Sequence, residues 1–165
     1  MIYFLSVQPH LLFNHFPVIG CFIGICLWLY AYIKRTKDVL LLSYIFSAVV
    51  GASGIIAAMT GEQAENKVKE YNQAEMNGKP LESPDKEKIV FSPQSLEWME
   101  KHQESGIFFR NLMVLLLIAS SIGIIAPRYR TPMLMYVCMT ILGASLYFAF
   151  DAAHTGGMIR HPEIR

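Results

Sequence analysis

Residues 11–38 read LLFNHFPVIGCFIGICLWLYAYIKRTKD, and this stretch decides the fold. From Leu11 to Ile33 there is no charged side chain. Such a run exceeds the about 20 residues that a helix needs to cross a hydrocarbon core of about 30 Å. It ends in Lys34-Arg35-Thr36-Lys37-Asp38, and a second apolar run then extends from Val39 to Met59. Two further runs, from Ile107 to Ala126 and from Pro132 to Ala153, flank a similar basic link, Pro127-Arg128-Tyr129-Arg130-Thr131.

Only 16% of the 165 residues are charged and 53% are hydrophobic, with mean hydropathy +0.35. Soluble domains carry about 25% charged residues. The chain therefore reads as all-α: an integral membrane four-helix bundle forming a single domain over residues 1–165. A lipid bilayer is its first partner. Residues 1–10 hold no Lys or Arg, so the first run lacks a signal peptide's charged start and is expected to be a retained helix. With net charge +1 and no basic patch interleaved with aromatics, no nucleic-acid partner is expected.

The two short links hold five basic residues and one acid, which places them in the cytoplasm by the positive-inside rule. Both termini and residues 60–106 then lie outside, in the periplasm if the membrane is a bacterial inner membrane. That long outer loop carries six lysines and ten acids. Within it, Ala64, Val68 and Tyr71 suggest a weakly amphipathic helix over Glu62–Met76, stopped by Asn77-Gly78-Lys79-Pro80. Ser92-Pro93 has the form of a cap followed by proline at the first helical position. From there a helix is expected to pass Trp98 and His102 directly into the third span.

Small residues mark close helix contacts: Gly20 and Gly24, Gly51 and Gly54, Ser120 and Gly123, and Gly143-Ala144-Ser145. Gly20 and Gly24 form a GxxxG pair, which serves either packing within the chain or a homodimer. Cys21, Cys26 and Cys138 all fall inside spans and read as small apolar residues.

All five histidines, His10, His15, His102, His154 and His161, fall on the outer side of these spans. Counting from the basic links at about 1.5 Å per residue puts His10, His102 and His154 at one level, about 36–39 Å away. His15 sits deeper, about 28 Å from Lys34. Histidine is the commonest metal ligand, and three readings stay open. Two histidines from facing helices could hold haem b, with Arg110, Arg160 and Arg165 beside its propionates. His15 is then one axial ligand, opposed by His154 or His102. Three or four histidines with Asp151, Glu62 or Glu104 could bind a divalent ion. Alternatively, no cofactor is bound and the histidines tie helix ends together or meet a partner subunit. Asp151, the one acid inside a span, is expected to pair with Arg110. No nucleophile constellation and no phosphate-cradling glycine loop is present, so nothing indicates a hydrolase or a nucleotide enzyme.

His10-Leu11-Leu12-Phe13-Asn14-His15-Phe16-Pro17 resembles the N-terminal signature of the DUF2231 family of bacterial membrane proteins: two histidines five apart, the second followed by Phe-Pro. Thr60-Gly61-Glu62 resembles that family's Thr-Gly-Glu after the second span, and His102 a histidine preceding the third. The tail from Gly156 to Arg165 is similar to those of Bacteroidetes members. One departure is that the common form has proline after the first histidine, where this chain has Leu11 and places Pro9 before it. The resemblance implies a four-span bundle in a bacterial cytoplasmic membrane. It also implies, by association with cytochrome domains, an electron-transfer role with a membrane or periplasmic redox partner.

Overall fold

The computed structural model describes residues 2–76 and 93–160. Four long helices account for nearly all of them: α1 (Ile2–Lys34), α2 (Lys37–Met76), α3 (Pro93–Ile125) and α4 (Pro132–Arg160). Each contains a stretch long and apolar enough to span a membrane: His15–Lys34, Lys37–Gln63, Leu96–Ile125 and Pro132–Gly156. Their mean hydropathies are 2.0, 2.2, 2.0 and 1.8, and at most a third of each stretch is buried within the protein. The remaining apolar surface, including Phe22, Ile33, Ile125, Met133 and Phe150, faces outward. Only lipid covers such a surface without cost. The chain is a multi-pass membrane protein.

Neighbouring helices in the chain pack side by side and antiparallel, and α1 closes the ring against α4. The diagonal pairs barely touch. This is the four-helix bundle expected from four apolar runs and short links.

Two features at the basic end fix the turns. Arg35 adopts φ 53°, the left-handed conformation that closes many helix C-termini. Its N–H bonds to the Ala31 carbonyl at 2.9 Å. Between α3 and α4, a 3-10 turn spans Pro127–Tyr129. Arg130 reaches back from it, donating through Nε to the Gly123 carbonyl at 2.7 Å. That bond satisfies an acceptor the helix end leaves unpaired. Thr131 Oγ1 accepts from the Leu134 N–H at 3.3 Å, so Thr131-Pro132 starts α4 as a cap followed by proline.

The core lies in the basic half of the bundle. Trp28 of α1 is fully buried and donates Nε1–H to Ser47 Oγ of α2 at 2.9 Å. Its ring meets Tyr44 edge-on, centroids 4.7 Å apart. Tyr44 in turn lies across α3 at Gly123, where an added Cβ would stand 2.7 Å from the ring's Cγ. One aromatic pair thus ties three helices together, and only glycine leaves room for it.

The GxxxG pair is used inside the chain. Gly20 backs onto Val50 of α2, and Gly24 onto Leu142 of α4 and Phe46 of α2. Both glycines are buried, so of the two readings of this pair the structure shows packing within the chain. Gly51 and Gly54 likewise pack against Met113 and Leu117 of α3. Gly143 has no atom near its α-carbon face and packs against nothing in the chain.

The outer segment differs from expectation in one respect. Residues 62–76 do not form a separate cap helix but continue α2, which runs unbroken through Thr60-Gly61 for 40 residues. At about 1.5 Å per residue it is about 60 Å long, twice the hydrocarbon thickness. Polarity after Met59 marks where the helix leaves lipid, not where it stops. The Thr60 hydroxyl bonds to the Ala57 carbonyl at 2.9 Å, inside the helix. The turn at Asn77–Pro80 lies outside the described residues. The helix entering the third span does begin at Pro93, as expected.

Candidate functional site at the histidine end

The end opposite the basic links collects the polar side chains that hydropathy singles out. His102 is half-buried where α3 meets α4. Its Nδ1 lies 2.7 Å from the Ala152 carbonyl. A carbonyl only accepts, so Nδ1 is the donor in this contact. Thr155 Oγ1 stands 3.4 Å from the same nitrogen, its own hydroxyl donating to the Asp151 carbonyl at 2.9 Å. The imidazole lies beside Gly156, where an added Cβ would stand in ordinary contact, 3.4 Å from ring atoms Cε1 and Nδ1.

Asp151 does not pair with Arg110. Its Oδ2 accepts a short hydrogen bond from Ser105 Oγ of α3. Arg110 instead reaches Glu62 of α2, with Nη1 to Oε2 at 3.2 Å. Helix geometry explains the correction. Residues 105 and 110 are five apart, about 140° around α3. Ser105 turns toward α4 and Arg110 toward α2, so they cannot share a partner. Both side chains of the Arg110–Glu62 pair are largely solvent-accessible, so the pair contributes less than about 1 kcal/mol.

His154 is exposed on α4 and meets Trp98 of α3 edge-on, centroids 6.3 Å apart. The Lys101 ammonium caps the same indole at 4.7 Å and pairs with Glu97 at 2.8 Å. His15 is exposed on α1, away from the bundle interior. Glu104 is exposed. His10 and Arg160 fall within α1 and α4, with side chains outside the described set, and His161 and Arg165 lie outside the described residues.

The structure thus gathers His102, His154 and Asp151 at one corner between α3 and α4. It sets Arg110 on the α2 side, and His15 on the outer surface of α1. Sequence reasoning missed Ser105, Thr155 and Trp98. A signal for them was available: Trp98, His102 and Ser105 fall at i, i+4 and i+7 of one helix, a single stripe.

Among the described residues, no group of three or more His, Cys, Asp and Glu side chains could hold a metal ion. Structural zinc needs four ligands, and catalytic zinc three plus water. A haem iron needs only one or two axial nitrogens. His102 is held through Nδ1 on a backbone carbonyl, one of the contacts that orient ligating histidines. The described donor set therefore falls short of a multi-ligand ion site.

Comparison with protein-family models, with curated proteins and with solved structures returns no match to this chain.

Proposed function

We propose that this protein is a small membrane subunit of DUF2231 type that holds haem b at the histidine end of the bundle. Its role is electron transfer with a membrane or periplasmic redox partner. The observation that carries the reading is the His102 ring, held through Nδ1 by the Ala152 carbonyl at the corner between α3 and α4. His154 is the candidate for the second axial position; His15, which the sequence favours, lies exposed on the outer surface of α1. Arg110, and from the sequence Arg160 and Arg165, would meet the propionates. Haem when bound supplies one-electron chemistry. The chain's own residues hold the imidazole, through Ala152 and Thr155, and set the separation of α3 and α4, through Ser105 and Asp151.

The test is the absorption spectrum of protein purified from haem-supplied cells. A Soret band is expected in the wild type, lost in His102→Ala and shifted in His154→Ala. An absent band in folded wild-type protein overturns the reading.

A second reading draws on the closed contacts at the same end. Ser105–Asp151 and Arg110–Glu62 fasten α3 to α4 and to α2. This suits a non-catalytic accessory subunit whose rigid outer face docks a larger complex. Loss of complex assembly on His102→Ala, with no pigment or metal in the wild type, selects that reading. Metal without porphyrin in elemental analysis selects a divalent-ion protein completed by residues outside the described set.

A further inference from the structure

We propose that the basic end of the bundle carries a binding site for one anionic phospholipid, with an acyl chain lying along α4 and the phosphate met by Arg35. This is independent of any cofactor at the opposite end.

The acyl site is a shallow groove of about 490 Å³ lined by Met133, Tyr136, Val137, Thr140 and Ile141. These positions recur at three and four residues, so they form one stripe down the first turns of α4. The volume lies within the about 300–1,000 Å³ of small-molecule sites, and the lining is apolar apart from two hydroxyls. Met133 is 75% exposed and Tyr136 52%, so the groove opens sideways into the hydrocarbon layer.

A chain of contacts connects the groove to a cation. The Tyr136 ring stands 6.4 Å from the ring of Tyr32 on α1. The Arg35 guanidinium lies 5.4 Å from that same Tyr32 ring. Its Nε donates to the Tyr32 carbonyl at 3.3 Å, which fixes the side chain and leaves both Nη groups for an anion. Arg35 occupies its position at φ 53°, a conformation that glycine holds more cheaply.

Charge selects the lipid class. Lys34, Arg35, Lys37, Arg128 and Arg130 share this end with the single acid Asp38. Lys34 and Arg128 also sit over the rings of Tyr30 and Tyr129. The result is a belt of aromatic rings and cations of the kind that anchors at a headgroup layer. Clustered cations beside a membrane-facing groove recognise anionic headgroups over zwitterionic ones.

The test uses the full-length protein in detergent, mixed with phosphatidylglycerol and phosphatidylcholine of matched chains and read by native mass spectrometry. One retained phosphatidylglycerol per chain is expected, in preference to phosphatidylcholine. Arg35→Gln should lower that enrichment about fivefold, the effect of one cation near the surface. Val137→Trp should fill the groove and abolish retention. The position is lipid-facing, so the core is untouched, and Thr140→Phe serves as a second filling variant. Equal retention of both lipids by the wild type overturns the proposal. So does undiminished retention in both filling variants, which assigns the lipid to surface charge alone. A dimer lost on Val137→Trp assigns the groove to a second copy instead.

Discussion

Replacing Gly123 by alanine tests the aromatic joint at the core. The added methyl would stand 2.5 Å from Tyr44 Cε1 and 2.7 Å from Cγ. Ordinary carbon contacts are about 3.5–4.0 Å, so the ring must move by about 1 Å. It has nowhere to go, because Tyr44 is fully buried and meets Trp28 edge-on at 4.7 Å. Trp28 is itself held by Ser47 at 2.9 Å. Overpacking of this kind costs about 1–3 kcal/mol, and three clashing ring atoms place it at the top of that range. Alanine returns about 1 kcal/mol through helix propensity. The net is a loss of about 2 kcal/mol, about thirtyfold in the folded-to-unfolded ratio. Gly143→Ala is the control. Nothing lies within 4 Å of its added methyl, so only the propensity gain remains, about 0.5–1 kcal/mol of stabilisation. Reversible denaturant titration in detergent, followed by tryptophan fluorescence and circular dichroism, measures both. If Gly123→Ala proves as stable as the wild type while Gly143→Ala gains, Tyr44 is not pinned and the three-helix joint is wrong.

Three further outcomes follow from the same geometry. Tyr44→Phe should stabilise the bundle by about 1 kcal/mol or more in the same titration, because the buried Tyr44 hydroxyl has no hydrogen-bond partner. Asp151→Ala should cost about 1–3 kcal/mol by stranding the buried Ser105 hydroxyl, whereas Asp151→Asn keeps an acceptor and should cost less than half as much. Arg35→Gly should raise stability by about 1 kcal/mol, relieving the left-handed conformation, while weakening retention of anionic lipid. Stability and lipid retention that fall together on Arg35→Gly would break the separation between the strain and the charge.

Much of this architecture is written in hydropathy. Four apolar runs, with Arg110 and Asp151 their only charges, and two basic links mark the spans and their pairing, because the cost of burying charge in lipid leaves a readable record. Thr60-Gly61 did not reveal that α2 continues, since polarity reports the solvent around a helix and not its end. The partners of Arg110 and Asp151 were not legible for a related reason. Choosing them requires the rotation of α3 about its axis, which depends on how Trp28, Tyr44 and Met113 pack. Gly20 and Gly24 were legible as contact points, but which surface they contact is again a matter of rotation. The stripe of Trp98, His102 and Ser105 is legible in the spacing, but its partners are not, because Asp151, Ala152 and His154 lie on another helix.

Glycine has one more consequence for where chemistry can occur. Helices that touch through Gly20, Gly24, Gly51, Gly54 and Gly123 stand so close that side chains from the facing helix fill the space where a Cβ would go. The waist of the bundle is shut. At these glycines the facing helices leave no room for a bound molecule between them. The two ends of the bundle are thereby separated by the full length of its apolar helices, the histidines at one and the basic links at the other.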